Sequence, residues 1–183
     1  MKRHTGFSIT ELMIVSAIVA ILLSIAIPSY RYITNSYRMS SEVNSLLGDL
    51  MYARAEAIKE GVTVTACASP DGINCAGAGN WQVGWLVYSN ATKVANPPAG
   101  SVLKIGMAFP GANPDSFVAT GGVSAISFNR EGFANATAGL PTTIELHDPT
   151  NNATWTRCLY VTLQGQLTTE TPAPANNPSG TCL

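Results

Sequence analysis

The sequence predicts an α+β fold: one long amino-terminal helix, then a β-rich carboxy-terminal domain against which the second half of the helix packs. Three observations carry this. Residues 12–27 form an apolar run interrupted only by Ser16 and Ser24. Residues 43–57 repeat apolar side chains three and four positions apart. Beyond Gly61 the chain turns to short runs rich in β-branched and aromatic residues, separated by Gly, Pro and Asn. The chain has 183 residues, 46% hydrophobic and 11% charged, a length that suits one compact domain plus a membrane segment. So low a charged fraction does not signal disorder here, because the apolar residues are patterned.

The first element lies in KRHTGFSITELMIVSAIVAILLSIAIPSY. With Phe7, Ile9 and the continuation to Tyr30, the apolar stretch reaches the roughly 20 residues that cross a bilayer. Lys2 and Arg3 precede it, so the positive-inside rule places the amino terminus in the cytoplasm and the bulk of the chain outside. A cleaved secretory signal is the competing reading. Its small cleavage-site residues should follow the apolar run, and SIAIPSY offers no good match. The small residue that stands out is Gly6, ahead of the run. One carboxylate, Glu11, sits near the start. An ionised Glu at mid-bilayer costs a few kcal/mol even on lenient scales, so Glu11 is a functional candidate that needs a partner. Pro28 lies within helical sequence and removes one backbone hydrogen bond, which predicts a kink or local melting.

Next comes SYRYITNSYRMSSEVNSLLGDLMYARAEAIKEG. Val43, Leu46, Leu47, Leu50, Ala53 and Ala57 make one apolar stripe. Arg38, Glu42, Asp49, Arg54, Glu56 and Lys59 fall largely off it, and Gly61 ends the helix. One helix from about residue 8 to about residue 60 would be roughly 80 Å long.

The β region reads as VTVTACA, WQVGWLVYS, SVLKIGMAF, VSAISFN, TTIELHD and TRCLYVTLQGQL, with turns at NPPAG, PGANPD and DPTNN. Its sheet is the surface the amphipathic half-helix would cover. Trp81, Val83, Trp85 and Val87 would share one strand face and read as core. Gly132, after Asn129-Arg130-Glu131, reads as a positive-φ turn residue. His147 reads as a surface strand residue. Asn90, Asn135 and Asn152 each begin Asn-Ala-Thr, a glycosylation pattern read here as turns.

Cys67, Cys75, Cys158 and Cys182 are an even set, which with an export-like start points to disulfides in an oxidising compartment. Three pairings exist. Cys67 with Cys75 would close the short loop CASPDGINC, and Cys158 with Cys182 would tie down the tail TETPAPANNPSG, which cannot pack by itself. No CxxC is present, and His147 is the one His beyond the first six residues, so neither a metal site nor a cofactor is expected. No nucleophile–base–acid set and no phosphate-cradling Gly loop is found, so no enzyme is expected. Formal net charge is −1, which is not the basic footprint of a nucleic-acid binder.

The segment GFSITELMIVSAIVAILLSIAIPSY resembles the class III signal of type IV pilins and type II secretion pseudopilins. The resemblance implies cleavage between Gly6 and Phe7, methylation of the new Phe7 amine, and a role for Glu11, the fifth residue of the mature chain. Pro28 matches the family's helix proline. Loss of the leader would remove Lys2 and Arg3, leaving eight basic against eleven acidic residues.

Major pilins carry one carboxy-terminal disulfide loop over a four-stranded sheet, whereas six to eight short strands are expected here. The succession LLGDLMYARAEAIKEG, VTVTACAS, NWQVGWLVYSN, ISFNREGFA, CLYVTLQGQL is similar to the GspH/FimT/FimU branch of minor pilins and pseudopilins, over roughly residues 6–167. This implies two antiparallel sheets beside the helix. It also implies a leader (1–6), a transmembrane assembly helix (7–30), an amphipathic helix (31–61), a β-rich domain (62–169) and a disulfide-tethered Pro-rich tail (170–183). The implied function is a minor pilin in a priming or tip complex that starts the type IV pilus, supporting motility and adhesion. The alternative is a minor pseudopilin of type II secretion. Implied partners are other minor pilins, the major pilin, the prepilin peptidase/methyltransferase and the inner-membrane assembly platform. The chain would sit in the bacterial inner membrane with its β domain periplasmic, then in the pilus. A DNA-uptake role is the third reading. Relatives that bind DNA carry a Gly-Arg-x-Arg pattern where this chain has Gly165-Gln166-Leu167-Thr168, then Glu170. With Arg157 the one basic Lys or Arg after Glu131, phosphate neutralisation is poorly supported.

Overall fold

A computed structural model describes residues 8–75, 78–89, 96–111, 114–172 and 182. The chain divides into two compact units, Met1–Arg38 and Met39–Leu183. One helix, α1, runs Ile9–Glu60. It continues through Pro28 as helix. Gly61 follows with φ +68, and its N–H donates to the Ala57 carbonyl at 3.0 Å, a left-handed helix stop.

In the second unit α1 buries Met39, Val43, Leu46, Leu50, Ala53 and Ala57. These recur at intervals of four and three, so a 3.6-residue period puts them on one side. Leu47 is only partly buried at the margin of this stripe. Asp49, expected off the stripe, is buried within it.

Nine strands follow among the described residues, more than the six to eight expected. The first sheet is ordered β3-β2-β1-β5-β6: β3 (Val102–Gly106), β2 (Trp85–Ser89), β1 (Val64–Ala68), β5 (Ala125–Phe128) and β6 (Ala134–Ala136). The second is ordered β4-β7-β8-β9: β4 (Ser116–Ala119), β7 (Thr142–His147), β8 (Arg157–Val161) and β9 (Leu167–Glu170). All pairings given by their registers are antiparallel. The predicted architecture of two antiparallel sheets with a helix packed on them is what the chain adopts.

Strand alternation decides what faces the helix. From β1, Val64, Ala66 and Ala68 enter the main core. So do Trp85 and Val87 of β2, Ile126 and Phe128 of β5, Ile144 and Leu146 of β7, and Leu159 and Val161 of β8. The helix stripe belongs to this same cluster, so one core joins α1 to both sheets. Each large side chain fully buried there contributes about 1.5–3 kcal/mol. Cys67, Leu86 and Tyr88 point to the opposite face of the first sheet and form a small second cluster.

Two expectations need correction. Trp81 does not share a strand with Trp85. It opens a 3-10 turn, Trp81–Val83, and Gly84 (φ +102) separates that turn from β2. Both indoles are nevertheless buried, Trp81 donating from Nε1 to the Val123 carbonyl at 2.9 Å. Asn135 is not in a turn but in β6, paired with Ser127. Asn152 does cap a turn, accepting from the Thr154 N–H at 3.0 Å, and Asn90 lies outside the described residues.

Candidate functional site

Gly6 and Phe7 lie outside the described residues. The Ser8 carbonyl accepts from the Leu12 N–H at 3.1 Å. Glu11 stands in the first turn of α1, where the helix dipole favours a negative charge. It is the one charged side chain between Ile9 and Tyr30. Around it Ile9, Leu12, Met13, Ile14, Ile18, Leu22 and Leu23 are all exposed, so this helix is apolar on every side. Such a helix is stable when lipid or other helices surround it. The polar side chains spare it exposed hydrogen-bonding groups. Ser16 donates from Oγ to the Met13 carbonyl at 2.9 Å, and Ser24 to the Ile21 carbonyl at 2.7 Å. In lipid every such group must be satisfied internally. Among the described residues, α1 is long and apolar enough to cross a membrane.

Two polar anchors hold the helix in the second unit. Trp85 donates from Nε1 to Asp49 Oδ2 at 2.7 Å, and Lys104 of β3 makes an ion pair with Asp49 Oδ1. The Lys104 ammonium also stands 5.8 Å from the centre of the Tyr52 ring. The buried carboxylate thus has a neutral donor on one oxygen and a cation on the other, which offsets its desolvation. On the next helical turn Arg54 donates from Nε to the Gly132 carbonyl (3.0 Å) and from Nη2 to the Gln164 carbonyl (3.3 Å). One guanidinium therefore clamps the β5–β6 turn and the β8–β9 turn together. Gly132 (φ +82) takes the turn conformation expected for it, and a Cβ on Gly165 would stand 2.1 Å from the Gly132 oxygen. Met51, Arg54, Ala55, Ile58, Gly165, Gln166 and Leu167 border a shallow groove of about 350 Å³ here. Sequence reading missed Asp49, Lys104 and Arg54. The available signal was Gly48-Asp49, two poor helix formers in the middle of a strong helix.

The cysteines join as Cys67–Cys75 and Cys158–Cys182, with Cα separations of 5.6 and 5.7 Å. The first closes a loop organised around Asp71. That carboxylate accepts from the Asn74 N–H (2.9 Å), the Ile73 N–H (2.9 Å), the Asn74 side-chain amide (3.0 Å) and Ser69 Oγ (3.0 Å). These bonds, the Asn74 N–H foremost, hold its pKa well below the usual carboxylate range. The second disulfide fixes Cys182 to β8; residues 173–181 between them lie outside the described set.

His147 is half-buried rather than freely exposed. Its Nε2 lies 3.2 Å from Glu145 Oε2 and its Nδ1 lies 3.1 Å from Thr156 Oγ1. The order hydroxyl–imidazole–carboxylate resembles a nucleophilic set, but Thr156 is 0% exposed, so no substrate reaches the hydroxyl. The three act as a structural tie between β7 and the turn before β8. Among the described residues no group of three potential metal ligands exists.

Every described Lys and Arg in the second unit is engaged. Lys59 contacts Glu56 and Glu60, Arg130 contacts Glu131, Lys104 contacts Asp49, and Arg54 binds two carbonyls. Arg157 is largely buried and donates to the Thr154 and Thr156 carbonyls at 3.3 and 2.9 Å.

With this geometry in view, comparison with known proteins gives a consistent answer. The family model "Type II transport protein GspH" matches residues 42–165, and the "Prokaryotic N-terminal methylation motif" matches residues 1–27. Two curated Pseudomonas aeruginosa proteins named "Fimbrial protein" are each 40% identical over 70 residues, which is 38% of this chain and 45% of theirs. The aligned stretch thus spans under half the length of those relatives. Crystal structures of the type IV minor pilin FimU from Pseudomonas aeruginosa strain PAO1, in two crystal forms, superpose with TM-scores of 0.55 and 0.52. The first covers 75% of this chain and 89% of FimU at 18% identity; the second covers 73% and 91% at 17%. At such identities the likeness is one of fold.

Proposed function

The chain belongs to the GspH family of pilin-like proteins, a structural family and not an enzymatic one, and from that premise we propose that it is a minor pilin of the type IV pilus. The observation that carries the reading is the all-round apolar first part of α1, Ile9–Tyr30, with Glu11 as the single charge of that stretch, most of it inside the matched methylation motif. Cleavage between Gly6 and Phe7 would create a methylated, positively charged amine one helical turn from Glu11. In a bundle of such helices the amine of one subunit meets the Glu11 carboxylate of its neighbour. In a low-dielectric core the pair attracts, whereas either charge left alone is costly. Glu11 thereby selects axial register during assembly.

The chain would first reside in the inner membrane, amino terminus cytoplasmic and β domain periplasmic, and then enter the fibre. It would join other minor pilins in a priming or tip complex, with the major pilin following, the prepilin peptidase/methyltransferase processing it and the assembly platform driving it. The second reading is a pseudopilin of type II secretion, favoured by the name of the matched family model. The engagement of the described basic side chains supports neither reading over the other but weakens a DNA-uptake role, because phosphate affinity comes from available Lys and Arg.

Deletion of the gene with two readouts separates these. Loss of pilin sheared from the cell surface, with exoprotein secretion intact, is the expected result. Intact surface pilin with blocked secretion would overturn the minor-pilin reading in favour of the pseudopilin.

A further inference from the structure

The loop closed by Cys67–Cys75 contains the dipeptide Asp71-Gly72. Aspartyl–glycyl bonds are chemically labile, because the Gly nitrogen has no side chain beside it and can attack the Asp side-chain carboxyl. A Cγ–N bond forms as the Cγ–OH bond breaks, and the hydroxyl leaves as water with the amide proton. Water then opens the resulting succinimide ring. When the bond between the Asp α-carbonyl carbon and the Gly nitrogen is the one that breaks, the chain continues through Cγ as isoaspartate. Water is lost and regained, so the mass is unchanged and no oxidant or other co-reactant takes part.

In this loop one hydroxyl holds both reacting groups. The Gly72 N–H, the nucleophile, donates to Ser69 Oγ at 3.0 Å, and the same Oγ donates to Asp71 Oδ1 at 3.0 Å. Oδ1 also accepts from the Asn74 and Ile73 N–H groups, and Oδ2 from the Asn74 side-chain amide. These donors, the Asn74 N–H foremost, keep Asp71 a carboxylate, whereas the form that cyclises is the protonated acid. Ser69 is buried and is anchored just past β1, its N–H donating to the Gly84 carbonyl at 2.9 Å. A Cβ on Gly72 would lie 3.4 Å from Ile105 Cγ2, so β3 packs on this glycine. Asp71 itself is exposed, so the water that opens the ring reaches it.

A segment that reacts only when open reacts in proportion to its open population. The disulfide restricts that population by closing the loop at a sequence separation of 8. The hydrogen bonds to the charged carboxylate lower it further. We propose that Asp71-Gly72 is a latent isoaspartate site, gated by the Cys67–Cys75 disulfide and by the Ser69 hydroxyl that ties the nucleophilic nitrogen and the carboxylate together. In the closed loop the pair is inert; in a chain whose disulfide is open it converts. Isoaspartate adds a backbone carbon and moves the free carboxylate to the α position, out of register with the donors of Ile73 and Asn74. Conversion is therefore a one-way loosening of the loop in chains that have not formed this disulfide.

The test incubates the full chain in detergent micelles at neutral pH in three forms: wild type with both disulfides closed, Ser69→Ala with both closed, and the paired variant Cys67→Ser/Cys75→Ser. Isoaspartate is read by enzymatic methyl esterification of isoaspartyl carboxylates and peptide mapping, each site's rate being taken relative to the same chain reduced and denatured. Asp115-Ser116, where Asp115 is buried, reports opening of the rest of the domain. The expected result is slow conversion at Asp71 in wild type, about tenfold faster conversion in Ser69→Ala and in the paired variant, and no rise at Asp115 in Ser69→Ala. Wild type converting as fast as the denatured chain, or Ser69→Ala converting at the wild-type rate, would overturn the proposal. So would an equal rise at Asp71 and Asp115 in Ser69→Ala, because protection would then belong to the whole domain and not to this loop.

Discussion

The indole Nε1 of Trp85 donates to Asp49 Oδ2 at 2.7 Å, inside the core that joins α1 to the sheets. Asp49→Ala leaves the indole N–H without its acceptor and Lys104 without its counterion. Lys104 is half-exposed and can rehydrate, but the indole cannot. The expected loss is about 2–3 kcal/mol in chemical denaturation, against about 1 kcal/mol for Asp49→Asn, which keeps an acceptor.

The same indole lies across Gly106, its cross-strand partner on β3. A Cβ there would stand 2.1 Å from Trp85 Cε2. Gly106→Ala should therefore displace the ring, cost about 2–3 kcal/mol and red-shift the tryptophan fluorescence. Gly139→Ala meets no atom within 4 Å, so only its backbone strain (φ +95) remains, about 1–2 kcal/mol, and the emission should stay in place.

The two disulfides close loops of different length, with sequence separations of 8 and 24. Loop-closure entropy then predicts that removing Cys67–Cys75 by paired Ser substitution costs about 2.5 kcal/mol, and removing Cys158–Cys182 about 3.5 kcal/mol. Denaturant midpoints of the two double variants should rank in that order.

Asp71 supplies a pH dependence with a definite sign. Its folded pKa is depressed, chiefly by the Asn74 N–H and then the Ile73 N–H. The stability it contributes is fully present above the unfolded carboxylate value of about 4 and is lost as pH falls below that toward the folded value. Thermal melts of Asp71→Asn should be lower than wild type at pH 6, and the difference should shrink on acidification below about pH 4.

Glu11→Ala removes the single charge of the apolar stretch Ile9–Tyr30 and touches nothing in the second unit's core. Membrane insertion and both disulfides should be retained, while entry into the fibre falls. Sheared-fibre immunoblots measure this, and wild-type incorporation would remove Glu11 from the account.

Periodicity made much of this fold legible. Val43, Leu46, Leu50, Ala53 and Ala57 follow the helical repeat, and β7 alternates buried Thr142, Ile144 and Leu146 with half-buried partners. Three strands escaped because their local sequences carry little β signal. β6 is Ala-Asn-Ala, β4 has four residues, and β9 is a polar edge continuing what read as a tail. Asp49 escaped for another reason: its partners lie on β2 and β3, and no local pattern reports a buried carboxylate whose counterparts come from elsewhere in the chain. The amino-terminal motif was legible because its chemistry is local, with Gly6, Phe7 and Glu11 within six positions.

The most direct test of the central claim is intact-mass and amino-terminal analysis of this chain recovered from sheared fibres. The account predicts a chain beginning at Phe7 with a methylated amine, copurifying with the major pilin. A chain absent from the fibres, or one still carrying residues 1–6, would contradict it.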